Sequence, residues 1–231
     1  MRFAFVHGAL VRDGAWWWAP VAARLDAIGP SVAALLPSCG EAGVTPTGAG
    51  PDLFDDAAAL RALLDDGEPT VVIAHSYGAM VAAQATAGLT SVRHLVAVSA
   101  FPAFVGESLG ALSAASDNPP PVALDDAGAA YLEPADMTER FLHDVDDPEL
   151  VQGAHDRLAR QSSAVFGQEL TASGWTDHPT TALVCAEDRS TPPWLQRQYA
   201  ARADRTIELA ASHHPMLSTP DALAAVLAEL A

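Results

Sequence analysis

The chain has 231 residues, half of them apolar, with 29 acidic and 12 basic side chains and a formal charge of −17. That length suits one domain with a single core, and that charge repels polyanions, so no nucleic-acid partner is expected. No apolar run approaches the roughly 20 residues of a membrane-spanning helix, so no membrane partner is expected either.

Met1 is followed by the strand-like RFAFVHG, without the basic start, long apolar centre and cleavage site of a secretory signal, and the expected location is cytoplasmic. The run continues through HGALVRDGAWWW into an amphipathic helix, WAPVAARLDAI. Then come SVAALL as a strand with DLFDDAAALRALLDD as a helix, and TVVIAHS as a strand with GAMVAAQATAG as a helix. VRHLVAVSA reads as the next strand. The interval of about 102–175 is rich in Pro, Asp and Gly, and carries helical patches, ADMTERFLHDV and PELVQGAHDRLARQ, but no convincing strand. TALVCAED with WLQRQYAARA, and RTIELAAS with DALAAVLAEL, close the chain.

Strands without polar alternation, separated by helices, imply a parallel sheet covered on both faces. The expected fold is therefore α/β, a doubly wound and mostly parallel sheet of about six strands in one domain, 1–231. A helical cap, about 102–175, is inserted after the strand ending near Ser99. Long connections of this kind are usually functional, and this one is expected over the C-terminal edge of the sheet, where open α/β sheets hold ligands. Cys39 in a Gly/Pro-rich loop and Cys185 in an apolar strand are too few for a disulfide framework or a thiolate metal site. No metal and no cofactor are expected.

Two segments match a strand–nucleophile–helix elbow. GESLG, 106–110, fits G-x-S-x-G by letter, but Ser108 follows a loop rather than a strand. AHSYG, 74–78, lies between the buried run TVVI and the helix GAMVAAQATAG, which is the context that holds a nucleophile in a sharp, strained turn. Ala74 stands where the first glycine would, and a small side chain suffices there. Ser76 is the expected nucleophile, against the plainer reading of a helix-capping serine.

A nucleophilic serine needs a base, a carboxylate to orient it and donors for the oxyanion. On this fold they follow in the order Ser, acid, His. Glu187 and Asp188 both sit where the strand TALVCA leaves the sheet, whereas VAVSAFPAF carries no carboxylate and Asp177 lies at the opposite edge. Among the eight histidines, His94 is expected before a strand, His143, His155 and His178 in or beside the cap, and His75 pointing away from Ser76. His213 and His214, with His7 in the first turn, remain as bases. The expected oxyanion donors are the N–H groups of Ala9 and Tyr77, the latter at a helix N-terminus.

These residues together resemble the small α/β-hydrolases that include plant methylesterases, plant hydroxynitrile lyases and bacterial esterase-like proteins. HGALVRDGAWWW resembles the family's HGAxxxGAWxW opening, AHSYG its elbow, AFPAFVGESL its lead-in to the cap, CAEDRSTPPWLQRQ its acid loop and HHPMLSTPDAL its terminal H-x-x-x-L-x-x-P segment. The likeness covers nearly the whole chain. It implies Asp188 rather than Glu187 as the acid, and His213, counting back from Leu217 and Pro220, as the base. In family members that act as hydroxynitrile lyases, threonine stands at the position of Gly8 and lysine at that of His214; neither is present, although a protonated His214 could partly imitate the lysine.

The implied activity is serine hydrolysis of a small apolar or aromatic carboxylic ester, thioester or lactone. A lyase or cyclase on the same fold, or a small-molecule receptor, is the alternative. Gly8, Phe101, Met137, Trp175 and His214 are expected to line the pocket, and Trp16, Trp17 and Trp18 to pack the first helix. The expected partner is a small ester-like molecule, and a homodimer is left open.

Overall fold

A computed structural model describes residues 1–230. The chain runs through β1 (Arg2–Val6), α1 (Gly14–Leu25), β2 (Ser31–Ala33), α2 (Leu53–Leu64), β3 (Thr70–His75), α3 (Gly78–Thr86) and β4 (Val92–Val98). An insertion follows, with α4 (Leu109–Ser113), β5 (Ala123–Leu124), β6 (Ala129–Tyr131), α5 (Pro134–Phe141), α6 (Pro148–His155), β7 (Gln161–Ser162) and α7 (Ala164–Gly167). The chain then completes its main sheet with β8 (Thr180–Cys185), α8 (Pro193–Ala200), β9 (Arg205–Leu209), α9 (Pro215–Ser218) and α10 (Pro220–Ala228). Six strands pair in the order β2-β1-β3-β4-β8-β9, every pair parallel.

The centre of the sheet shows why it forms. β3 is buried at all six positions, as a parallel strand with both faces covered must be. Its side chains alternate between two cores. Val72 and Ala74 join Leu60 and Leu64 of α2 and Met80 of α3 on one face. Val71 and Ile73 join Trp17 and Trp18 of α1 and Leu223 and Leu227 of α10 on the other. Trp18 stacks on Phe5 of β1 with ring centroids 4.6 Å apart, so Trp17 and Trp18 serve the core. α2 is started by a capping box in which Asp52 and Asp55 each accept from the other's backbone N–H, worth about 1 kcal/mol.

Two details differ from the sequence reading. The insertion contains a small antiparallel sheet, β5-β6-β7, whose strands of two or three residues are too short to show a period. His94 does not precede a strand but lies within β4, its Nε2 2.9 Å from Thr181 Oγ1 on β8.

Parallel pairing brings the C-terminal ends of β1, β3, β4, β8 and β9 to one edge. The residues just beyond those ends are Gly8, Ser76, Ser99, Asp188 and His213.

Candidate functional site

Ser76 occupies the single-turn junction between β3 and α3 with φ 51°, the left-handed region that costs a non-glycine residue about 1–2 kcal/mol. The turn is held by its N–H donating to Val98 O at 3.1 Å and by its carbonyl accepting from Ala79 N at 3.0 Å. A Cβ at Gly78 would stand 2.7 Å from the carbonyl oxygens of Val6 and His7, so the second small position of the elbow admits only glycine. Ser108, in the literal G-x-S-x-G, has φ −116° and caps α4, its Oγ accepting from Ala111 N. It has no elbow.

Asp188 and His213 meet. The imidazole Nδ1–H donates to Asp188 Oδ2 at 2.7 Å, with both side chains almost fully enclosed. Four more donors converge on this carboxylate: Ser190 N at 2.7 Å and Thr191 N at 2.9 Å on Oδ1, and Gln196 Nε2 at 2.9 Å and the Ser99 hydroxyl on Oδ2. Burial pushes the Asp188 pKa up, but the adjacent His213 and the bonds from His213, Ser99 and Thr191 outweigh it and hold the carboxyl below its ordinary value. Glu187 is exposed, its backbone N–H donating to Ala211 O and its carbonyl accepting from His143 Nε2.

The other histidines are placed apart from this pair. His75 donates from Nε2 to the His213 carbonyl at 2.8 Å, and His214 donates from Nδ1 to Phe141 O at 3.3 Å. Burial drives both well below the usual histidine pKa, and charge on His213 lowers them further. Burial thus disfavours the charged form of His214. His7 is bound at Nε2 by Glu41 Oε2 at 2.9 Å and does not line the cavity described next.

That cavity, about 260 Å³, lies between the strand ends and the insertion. Gly8, Ala9, Ser76, Ser99, His213 and His214 form its polar end, and Phe101, Leu109, Leu132, Met137, Phe141 and Phe166 its apolar walls. Among the described lining residues none is Asp, Glu, Lys or Arg. A Cβ on Gly8 would lie 2.9 Å from His75 Nδ1 and 3.1 Å from Ser76 Cβ, so glycine keeps the approach to Ser76 open. Trp175 is a correction: it lies in the core, donating from Nε1 to Ala79 O at 3.2 Å, and is absent from the cavity wall.

Ser76 and His213 share the cavity, but among the described residues no hydrogen bond joins them, and the Ser76 hydroxyl has no partner. The backbone N–H groups of Ala9 and Tyr77 likewise donate to no acceptor among the described residues. Sequence reasoning missed Ser99 and Gln196. Ser99 has φ 47° and its Oγ lies 3.0 Å from His213 Nδ1, and nothing in the local pattern marks either residue. Among the described residues no group of three or more His, Cys, Asp or Glu could hold a metal ion, and no helix is long and apolar enough to cross a membrane.

Comparison with known proteins agrees with this architecture. The profile described as "Alpha/beta hydrolase family" matches residues 3–226. "Alpha/beta hydrolase nvfD" of Aspergillus novofumigatus is 25% identical over 207 residues, covering 83% of this chain and 81% of that protein. "Probable hydrolase R7" of a Phoma species is 27% identical over 242 residues, covering 93% and 92%. Among solved structures, a pyrethroid hydrolase from Sphingobium faniae superposes with a TM-score of 0.80 at 21% identity, covering 99% of this chain and 96% of that one. A methylesterase from Arabidopsis gives 0.76 at 20%, covering 99% and 98%.

Proposed function

The chain belongs to the alpha/beta hydrolase family and is by that membership a hydrolase, and on this premise we propose that it cleaves a small, uncharged carboxylic ester, thioester or lactone through an acyl-enzyme on Ser76. The observation that carries this reading is the Asp188–His213 hydrogen bond facing the cavity that a strained, unpartnered Ser76 also lines.

As substrate brings the two groups within reach, His213 Nε2 takes the Ser76 proton while Oγ attacks the carbonyl carbon. Catalytic hydrogen bonds are commonly long without substrate and tighten with it. The carbonyl oxygen becomes an oxyanion held by the Ala9 and Tyr77 N–H groups. Collapse breaks the bond to the leaving oxygen or sulfur, which takes the proton back from His213. Water then attacks the acyl group with His213 again as base, releasing the acid and restoring Ser76. Asp188 keeps the Nδ1 proton in place throughout and stabilises the imidazolium.

The apolar walls favour an apolar or aromatic acyl group, and a volume of about 260 Å³, just below the roughly 300–1,000 Å³ usual for ligand sites, favours a small one. A lining without Lys or Arg offers no ion-pair partner to a substrate carboxylate. Neutral His214 and the crowded Gly8 position weigh against the lyase alternative. The test is Ser76→Ala with a chromogenic short-chain ester: kcat is expected to fall by roughly three orders of magnitude or more. Turnover at the parent rate would refute the assignment.

A further inference from the structure

Resting on that reading of the site, we propose that Gln161, which lies in the insertion and touches no reacting atom, is a positioning residue for both oxyanion donors. A single line of buried hydrogen bonds connects it to the amide that follows Ala9 and to the phenol of Tyr77. Its Oε1 accepts from Leu10 N at 2.9 Å, next to Ala9. Its Nε2 donates to Ser38 Oγ at 2.9 Å, and that hydroxyl donates to Asp56 Oδ2 at 2.5 Å. Tyr77 OH donates to the same Asp56 oxygen at 2.7 Å. Gln161, Ser38, Asp56 and Tyr77 are each 0% exposed, so water does not compete for these bonds and none can be broken without leaving a polar group unpaired.

The donors are backbone N–H groups, aimed only indirectly by whatever anchors the peptides and side chains around them. Their direction is set by how the neighbouring peptides are held. In the first loop Gly8 gives the chain wide freedom, and Leu10 sits at φ 63°, a conformation a leucine keeps only under external restraint. That restraint comes from the insertion: Gln161 holds the Leu10 amide, Ala159 N donates to Leu10 O at 2.8 Å, and Arg12 N donates to Arg157 O at 3.0 Å. At the other donor, the Tyr77 ring is tied through Asp56 and Ser38 to the same glutamine. The direction of the chain is fixed, because Ser38 already gives its proton to Asp56 and can only accept from Gln161. Reversing the Gln161 amide would set its NH₂ against the Leu10 N–H.

The test compares Gln161→Met, close in length but without polar groups, with the parent enzyme on a chromogenic ester, per site titrated to completion with a fluorophosphonate. Deleting an oxyanion donor outright costs about 10²–10³ in kcat, and a displaced donor is expected to cost about tenfold to a hundredfold, with KM changed less than twofold. Gln161→Glu keeps the acceptor for the Leu10 amide but removes the donor to Ser38 Oγ, so it is expected to recover only the part of the loss that comes through the Leu10 end. Tyr77→Phe cuts the far end of the line and should lower kcat alone, combining with Gln161→Met less than multiplicatively. A lowered Tm with unchanged kcat per site in Gln161→Met overturns the proposal. Should that variant fail to fold, unchanged kcat per site in Tyr77→Phe overturns it. An inactive Ser76→Ala beside unaffected Gln161 and Tyr77 variants would sink the positioning role alone, whereas a fully active Ser76→Ala would sink the Ser76 reading with it.

Discussion

Replacing Asp188 by asparagine keeps the size of the side chain, removes its negative charge and turns one of its two acceptors into a donor. In the structure both oxygens only accept: two backbone N–H groups point at Oδ1, and His213 Nδ1, Gln196 Nε2 and the Ser99 hydroxyl at Oδ2. An asparagine NH₂ on the Oδ1 side would oppose two N–H groups that cannot reorient. On the Oδ2 side it opposes Gln196 Nε2, which is itself fixed by Cys185 N donating to its Oε1 at 2.9 Å and by its own bond to Thr191 O at 2.7 Å. The second placement loses less, and there the NH₂ donates to His213 Nδ1. The imidazole is then protonated at Nε2, the nitrogen that must accept the Ser76 proton. By analogy with the corresponding change in trypsin, kcat is expected to fall about 10⁴-fold, which is about 5.5 kcal/mol of transition-state stabilisation. One opposed donor and the lost charge-assisted bonds should also cost roughly 2–4 kcal/mol of folding stability. Ester turnover by Asp188→Asn and urea unfolding of the same preparation measure both. A folded variant with kcat within tenfold of the parent would refute the reasoning.

Stability should fall as solutions are made mildly acidic. His75 and His214 are held neutral by burial, so below the unfolded histidine value of about 6.5 the unfolded chain binds protons that the folded chain refuses. Each contributes a loss of up to about 1.4 kcal/mol per pH unit until its depressed folded value is reached, and urea midpoints that stay level from pH 7.5 to 5.5 would contradict this. Asp188 works lower on the scale: its depressed pKa adds stability that is full above about 3.9 and is lost as pH falls through the folded value. Trp175→Ala should cost about 3–5 kcal/mol of stability while leaving KM within twofold, because the indole is in the core; a large KM change with intact stability would return it to the pocket.

The parallel sheet was legible because its strands are unbroken apolar runs, and the elbow because AHSYG stands between such a run and a helix. GESLG misleads by letter alone, since the backbone at Ser108 is extended and its hydroxyl caps a helix. Glu187 and Asp188 could not be separated by spacing, being adjacent. Only folding buries one against His213 and exposes the other. Trp175 was misplaced because an aromatic side chain between segments reads alike whether it meets substrate or core. Ser99, Gln196 and Gln161 left no signal, because each acts through partners distant in sequence except for Gln196, whose nearby carboxylate is reached only by the turn between β8 and α8.

The acyl-enzyme claim is tested most directly by treating the intact protein with a fluorophosphonate and locating the adduct by peptide mass mapping. One phosphonyl group on residue 76, absent in Ser76→Ala, is the predicted result. An adduct on Ser108 or Ser99 instead, or ester turnover by a protein that takes no label at residue 76, would contradict it.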